Sequence, residues 1–538
     1  MPRSIRTFIF CLIAAMAVWP DVLMPKVYGL AGSTGPDGSN AQGVHGLGET
    51  GEGVNVGVVS LRNTRITHEA FKDPNGVSHA FSYDFTGDGI AITDHDTYMA
   101  GIVASRGGAS YPNEIGVAPG ANIHSARIAD DNSNMTNIFL TDALDELIIV
   151  QNCRVISTGF QSVLIPDGDS AWTKIYDYYA CEYDVVFANA SGNNAPAVTV
   201  VGDAYNGITT GGLRVTEPDV YLKVGTGSNP GPTVDGRRKP DIVAPSEDQT
   251  LPRSSSDTAW KEDEGSSAGQ TSYSGPHTAG VAALLLGLAD ETSDPNDNQS
   301  EVIKAIIVNS AFPNINDKDN NPTYPADPNN TWHGDRGYGR INALRAYELL
   351  SSDQVTADAN TTQQKGWAYD TMTGYGQHSY SIQGARNDRL VLTETWHRQI
   401  NRDGYIFTEE GAPKFNLDLT IRDPNGTVIF SEAATLNNLE KVDLLLAKDG
   451  MYEITLENTT DKTRGYALAF ELLAPLPCDF EPIDYIVDTG DLLVMAWQWL
   501  AEGAGFEADL TGDEVVNLED FAEFTKHWLE INPTYHNE

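Results

Sequence analysis

The chain has 538 residues, 40% of them hydrophobic and nine of them Trp, which is too long for one ordinary domain and apolar enough for more than one core. Its 34 basic side chains stand against 75 acidic ones, a formal net charge of −41. That balance excludes nucleic acid as a natural partner, because no cationic surface is offered to a polyanion, and it suits a salty or calcium-rich exterior.

In chain order, Arg3 and Arg6 precede an apolar run from Phe8 to Trp19. The run is too short to span a bilayer and has the build of a secretory signal. A signal peptide is expected over residues 1–29, cut after Ala15-Met16-Ala17 or near Val27-Tyr28-Gly29, and no other segment reads as a membrane span. The protein is therefore expected to be secreted, periplasmic or part of a cell-surface assembly. Four cysteines are few for such a place: Cys11 leaves with the signal, and Cys478 stands alone. Cys153 and Cys181 each come before a predicted parallel strand (154–158 and 184–190), and either bridge or remain buried thiols.

The runs VGVV (56–59), YMAGIVAS (98–105), RVIST (154–158) and VVFANA (185–190) alternate β-rich with helical character. The alternation predicts an α/β fold, a mostly parallel sheet with helices on both faces. Further on, Gly269-Gln270-Thr271-Ser272-Tyr273-Ser274-Gly275-Pro276-His277-Thr278-Ala279-Gly280 leads from a loop into the apolar run Ala279–Leu286. Pro276 is expected in the first helical turn, where a missing N–H costs nothing. Ser272 then sits at the positive end of a helix dipole, a place where N–H donors can meet an oxyanion as its charge develops.

Residues 353–366 are polar and aperiodic, a predicted linker. From about Gln377 to Ala474 strand follows strand, with Leu417, Leu419 and Ile421 alternating with polar neighbours, so one face is expected to be buried. In the tail, Asp509, Thr511, Asp513, the carbonyl of Val515, Asn517 and Asp520 fall at positions 1, 3, 5, 7, 9 and 12 of a loop, the oxygen spacing of a Ca2+ site. Asp484, Asp488, Asp491 and Trp499-Leu500 repeat Asp513, Asn517, Asp520 and Trp528-Leu529 at a constant offset of 29. In the first copy Asp479 and Glu481 lie one residue too far upstream for positions 1 and 3. Fifteen acidic residues and a single Lys occupy 476–538.

The serine segment resembles the block Gly-Thr-Ser-Met-Ala-x-Pro-His-Val-Ala-Gly of the subtilisin-like serine peptidases, with Ser272, Pro276, His277, Ala279 and Gly280 in register. His95-Asp96-Thr97-Tyr98-Met99-Ala100-Gly101 resembles the family's His-Gly-Thr-His-Val-Ala-Gly, and Gly116-Val117-Ala118-Pro119-Gly120-Ala121 the segment after it. Val185–Asn194 resembles the strand that ends in the oxyanion asparagine, here Asn193. Lys239–Pro245 and Gly337–Ala343 match later landmarks. The resemblance implies Ser272 as nucleophile, His95 as general base, and the Asn193 amide with the Ser272 backbone N–H as oxyanion donors. It also implies a peptide or protein substrate. The stretch between the signal and Val54 is too short for the inhibitory propeptide of many family members.

One block departs. Where the family reads Val-x-Val-Ile-Asp-Thr-Gly, this chain reads Val56-Gly57-Val58-Val59-Ser60-Leu61-Arg62, followed by His68-Glu69-Ala70-Phe71, so Ser60 takes the acid's position. A hydroxyl there can accept a hydrogen bond from His95 Nδ1–H but cannot stabilise an imidazolium. In subtilisin, a family member, removing the acid alone costs about 3 × 10⁴ in kcat, roughly 6 kcal/mol. Gln270, Asp96, Tyr98 and Tyr273 replace family residues at the same site. Asp94 and Asp96 flank His95 and are candidates to lend it charge in place of the missing acid, but as its immediate neighbours they are expected to diverge from its ring.

The strand-rich region resembles the β-sandwich (jelly-roll) domain appended to many secreted members, on Trp396, Asn416-Leu417-Asp418-Leu419 and Asn438-Leu439-Glu440. The tail resembles a dockerin, which implies a cohesin partner. The expected organisation is a signal over 1–29, a peptidase domain over 50–352, a β-sandwich over 367–475 and dockerin-like repeats over 478–532. Two functions follow: a secreted serine endopeptidase weakened by Ser60, or an inactive homologue that binds peptides or holds a place in a cohesin-docked scaffold.

Overall fold

The computed structural model describes residues 29–528, apart from 163, 217–219, 265–269, 324–330, 434, 481–486, 488 and 504–505. The expected signal peptide up to residue 28, Gly269, Glu481, Asp484, Asp488 and Leu529 lie outside the described residues. The chain divides into two compact units, one over 28–473 and one built on 474–538.

The first unit is organised by a strand whose Val56, Val58 and Val59 are fully buried, β1 (Asn55–Ser60). Around it lie β2 (Ala80–Asp84), β3 (Asn122–Arg127), β4 (Val155–Thr158), β5 (Val186–Ala190), β6 (Ile208–Arg214), β7 (Lys223–Val224) and β8 (Ile242–Pro245), in the order β2-β3-β1-β4-β5-β6-β7 with β8 beside β6. All of these pairings are parallel except β6 with β7. Burial on both faces explains why these strands are apolar or small throughout rather than alternating. Because strand order reverses at β1, the chain leaves β1 toward opposite sides of the sheet, and a crevice opens beyond the strands' carboxyl ends. A hairpin, β9 (Gln249–Pro252) with β10 (Trp260–Glu264), lies over the helix Asp94–Ala104.

The helix carrying Ser272 runs from Thr271 to Glu291. Pro276 is therefore its sixth residue and not in the first turn, a correction to the reading from the sequence. The ring removes the N–H that would bond the Ser272 carbonyl, and the helix survives because eighteen of its 21 residues are buried, so tertiary packing outweighs one lost bond. Cys181 lies inside the helix Ala171–Tyr183 rather than just ahead of a strand. Although β4 and β5 are neighbours, Cys153 and Cys181 are free thiols, and Cys181 Sγ points to Gln399 Oε1 at 3.3 Å.

Past the α/β region the unit continues as strands: β11 (Asn360–Thr361), β12 (Lys365–Met372), β13 (Gln377–Gly384), β14 (Arg389–Trp396), β15 (Ile400–Asp403), β16 (Ile406–Glu409), β17 (Leu417–Arg422), β18 (Val428–Glu432), β19 (Leu439–Leu445), β20 (Gly450–Asn458) and β21 (Arg464–Leu473). Two sheets, β11-β13-β20-β17-β18 and β12-β21-β14-β19, share one core that includes Leu392, Trp396, Leu419, Ile454 and Phe470. The segment expected to be a linker is largely exposed but pinned near its start, where Val355 joins the sandwich core and its N–H donates to the Trp367 carbonyl at 2.7 Å, and just past its end, where Trp367 Nε1 donates to the carbonyls of Leu350 and Ser352. The outer face of β12, β21 and β19 does not stop at its own sheet, since Trp367, Ala467, Ala469 and Leu439 belong to the same core cluster as Val56, Ala283 and Ile306.

In the second unit the helices Thr489–Gln498 and Leu518–Phe524 begin 29 residues apart, at the offset of the sequence repeat. Val487, Met495, Val516 and Phe524 form their small core.

Candidate active site

The carboxyl ends of β1, β4 and β5 run into Leu61 and Arg62, Gly159 and Phe160, and Gly192 and Asn193. These residues line a cleft of about 570 Å³ together with His95, Asp96, Gln161, Gln270, Thr271 and Ser272. His95, Asn193 and Ser272, which lie far apart in the chain, thus share one cavity.

Ser272 is the second residue of its helix, close to the positive end of the dipole and among N–H groups that have no intrahelical acceptor. The neighbouring Thr271 donates from its backbone N–H and its hydroxyl to Asn193 Oδ1, at 2.9 and 3.2 Å. Fixing the oxygen end of the carboxamide leaves its N–H2 end to donate. Gly192 N–H in turn donates to Thr271 Oγ1 at 3.1 Å. Gly192 has φ +98°, and a Cβ there would lie 2.2 Å from Thr199 Oγ1, so the turn that aims Asn193 needs glycine. Gly159 is required for a different reason: a Cβ would meet Met99 Sδ at 2.0 Å, beneath His95.

His95 stands in the first turn of the helix Asp94–Ala104, whose N-cap is Thr93. Its ring faces Tyr273 at a centroid distance of 6.0 Å, and Tyr273 packs with Tyr98, Ile102, Leu251 and Leu30 behind the site. Tyr98 and Tyr273 therefore build an apolar wall rather than reaching into the cleft. No hydrogen bond joins His95 to Ser272 among the described residues.

Ser60 ends β1 with its Oγ buried and without a hydrogen-bond partner among the described residues, so the contact expected between this hydroxyl and His95 Nδ1 is not made. Asp94 accepts from Arg253 Nε and from Ser254 N and Oγ and is turned away from the ring. Asp96 is not: its Oδ2 lies 3.9 Å from His95 Nδ1, against the expected divergence. The Thr93 hydroxyl donates to Asp96 Oδ2 and folds the carboxylate back over the first turn, toward the ring edge. The residue was legible in the sequence as the acid replacing a glycine beside His95, but its direction depended on this cap.

His277 is a scaffold residue. Fully buried, its nitrogens meet Gln249 Nε2 at 2.9 Å and Ser39 Oγ at 3.3 Å, and burial pushes it down to about 3, so it stays neutral.

Over residues 54–368 the chain matches the model of the subtilase family. The chain belongs to that family. Pyrolysin of Pyrococcus furiosus is 26% identical over 339 residues, 52% of this chain and 22% of its own length, so the chain spans about a fifth of that relative. The solved prenylagaramide maturation protease PagA is 20% identical with a TM-score of 0.44, covering 58% of this subtilase and 98% of that chain. The Clostridium perfringens CspB protease is 15% identical with a TM-score of 0.48, covering 60% and 99%.

In the second unit, Asp509, Asp513 and Asp520 bring carboxylate oxygens within 4.8 Å of one another. Thr511 donates to Asp520 Oδ1 through its N–H and its Oγ1, both at 2.9 Å, and Asn517 Nδ2 to the Val515 carbonyl at 3.1 Å. Asn517 Oδ1 accepts from Glu519 N at 2.8 Å, so this oxygen caps the following helix with one of its two lone pairs. Hard oxygen donors crowded in this way fit a Ca2+ ion.

Proposed function

We propose that the chain is a secreted subtilisin-like serine endopeptidase that cleaves peptide bonds of protein substrates. The observation that carries the reading is the shared cleft, with Ser272 at a helix N-terminus, His95 beside it and Asn193 clamped by Thr271. In this reading Ser272 Oγ attacks the scissile carbonyl carbon as His95 Nε2 takes its proton. The Asn193 amide and the Ser272 N–H hold the oxyanion, and His95 returns the proton to the leaving amine. Water then repeats the cycle on the acyl-enzyme. The Arg3, Arg6 and Phe8–Trp19 pattern supports export.

The test is incubation with casein and with a fluorophosphonate probe beside Ser272→Ala. Casein cleavage and labelling that both vanish in the variant support the reading; a wild-type protein that neither cleaves nor labels overturns it. That second outcome favours the non-catalytic peptide-binding reading, which draws on the unpartnered Ser60 hydroxyl at the acid's position.

The C-terminal unit is proposed to be a dockerin-like module that takes Ca2+ on Asp509, Thr511, Asp513, Val515, Asn517 and Asp520 and docks to a cohesin. The convergent carboxylates support the ion. Leu493, Trp497 and Leu518 support a protein partner, since all three are exposed, Trp497 at 88%, and exposed aromatic and aliphatic groups on one small module suit an interface.

A further inference from the structure

We propose that Asp96 replaces the missing strand acid and acts as the positioning residue for His95. The inference rests on the peptidase reading and names the group that completes its site. At the end of β1, in the register of the family's acid, the chain carries Ser60, whose Oγ is buried and bonded to nothing among the described residues. Asp96 presents a carboxylate whose residue is only 2% exposed, with Oδ2 3.9 Å from His95 Nδ1.

Two contacts hold that carboxylate still, the Thr93 hydroxyl on Oδ2 and the Arg62 N–H on Oδ1 at 3.4 Å. The remaining charged groups nearby are committed elsewhere. Arg253 and Ser254 take Asp94, and the Arg62 guanidinium donates to the carbonyls of Leu61 and Ala129. Asp96 is therefore the carboxylate left for the imidazole. At 3.9 Å it is not yet hydrogen-bonded, and a small rotation of the His95 ring closes the gap; a side chain 37% exposed has room to turn.

The proton balance is that of a relocated acid. The Ser272 Oγ–H proton passes to His95 Nε2 as the Oγ–carbon bond forms, and the resulting imidazolium keeps its Nδ1–H directed at Asp96. Asp96 remains ionised throughout, and the proton leaves His95 Nε2 with the departing amine. A carboxylate fixed before the reaction stabilises the imidazolium without reorganising, which a hydroxyl cannot do.

The experiment uses the full chain and compares wild type with Asp96→Asn, Ser60→Asp, the double variant and Ser272→Ala. The readouts are kcat and KM on a peptide substrate and the rate of fluorophosphonate labelling. Asparagine keeps the Arg62 N–H on Oδ1 and holds Thr93 with the bond reversed, Nδ2 donating to Oγ1, so Asp96→Asn is expected to stay folded by circular dichroism while kcat falls about 10³- to 10⁴-fold, with KM within about threefold. Its rate of fluorophosphonate labelling is expected to fall together with kcat. The double variant is expected to recover to within about tenfold of wild type, a rescue that a purely structural role for Asp96 does not predict. Ser60→Asp alone leaves Asp96 untouched and is expected to change kcat less than about tenfold.

Asp96→Asn that keeps kcat within about threefold overturns the inference, as does a gain of about 10³-fold or more from Ser60→Asp alone, since that gain means no acid was in place. Both outcomes leave the peptidase reading standing. Wild-type protein without Ser272-dependent turnover overturns both.

Discussion

His277 shows how a residue inside a catalytic sequence block can do structural work. Its depressed value, about 3 against 6.5, comes from burial. Between those values the unfolded chain binds a proton that the folded chain refuses, so stability is lost as pH falls from about 6.5 toward 3, by roughly 4 kcal/mol at the low end. We expect His277→Gln, compared with wild type by thermal unfolding at pH 7 and pH 4, to flatten that difference; equal acid sensitivity in both proteins rejects the assignment. Gly192 acts through geometry instead. With φ +98° and Thr199 Oγ1 2.2 Å from a would-be Cβ, Gly192→Ala should displace Asn193 by a few tenths of an ångström or more. On the peptidase reading proposed above, a drop in kcat of about 10²-fold with little change in KM is expected, because such a shift is felt only when the oxyanion forms.

Among the elements, the helix Leu518–Phe524 of the C-terminal unit is joined to its loop through its cap. Asn517 and Asp520 cap the helix Leu518–Phe524 by a reciprocal pair of bonds, so in the second repeat two of the proposed Ca2+ ligands are also the residues that start the helix. Neutralising the carboxylates of Asp509, Asp513 and Asp520 with Ca2+ relieves their repulsion and should order that helix. Calorimetric titration of the full chain is expected to show a Ca2+ site weakened about tenfold or more by Asp513→Ala, and helix content by circular dichroism should fall with chelator. Unchanged binding in the variant removes this loop as the site. The serine helix makes the complementary point: with Pro276 at its sixth position, its continuity depends on the burial of residues such as Ala279, Leu284 and Leu285.

On the scale of the whole molecule, the α/β region and the β-sandwich fold as one body. Lys441 Nζ donates to the carbonyls of Val308 and Asn309 at 2.7 and 3.2 Å, ending the helix Ser300–Asn309 with a buried amine. Arg398 reaches Asp177 at 2.6 Å and Arg345 reaches Glu471 at 2.7 Å. Trp367, Leu439, Ala467 and Ala469 complete the apolar core of the α/β region. Residues 29–352 expressed alone should therefore expose that face and leave Asp177 and Arg345 without their partners Arg398 and Glu471; we expect an aggregating or molten product, whereas residues 29–473 should unfold cooperatively in calorimetry. A sharp transition from the shorter piece at an unchanged midpoint would show the sandwich to be dispensable.

What the sequence determined by itself was chemistry carried by contiguous residues. The blocks around His95, Asn193 and Ser272, the substitution at Ser60 and the 29-residue repeat are legible because each depends on residue type at short spacing, and the alternation of apolar runs with helical ones is enough to imply the parallel sheet. Only the tertiary structure decided where side chains point and what packs on what. Adjacent helical residues normally diverge, and Asp96 returns to His95 because a cap from Thr93 folds it back. The segment 353–366 is polar, as a linker would be, yet Trp367 anchors it through carbonyls of the preceding helix. Such outcomes depend on contacts between residues far apart in the chain, here the β-sandwich faces against the helix ending at Asn309, and no local pattern encodes them.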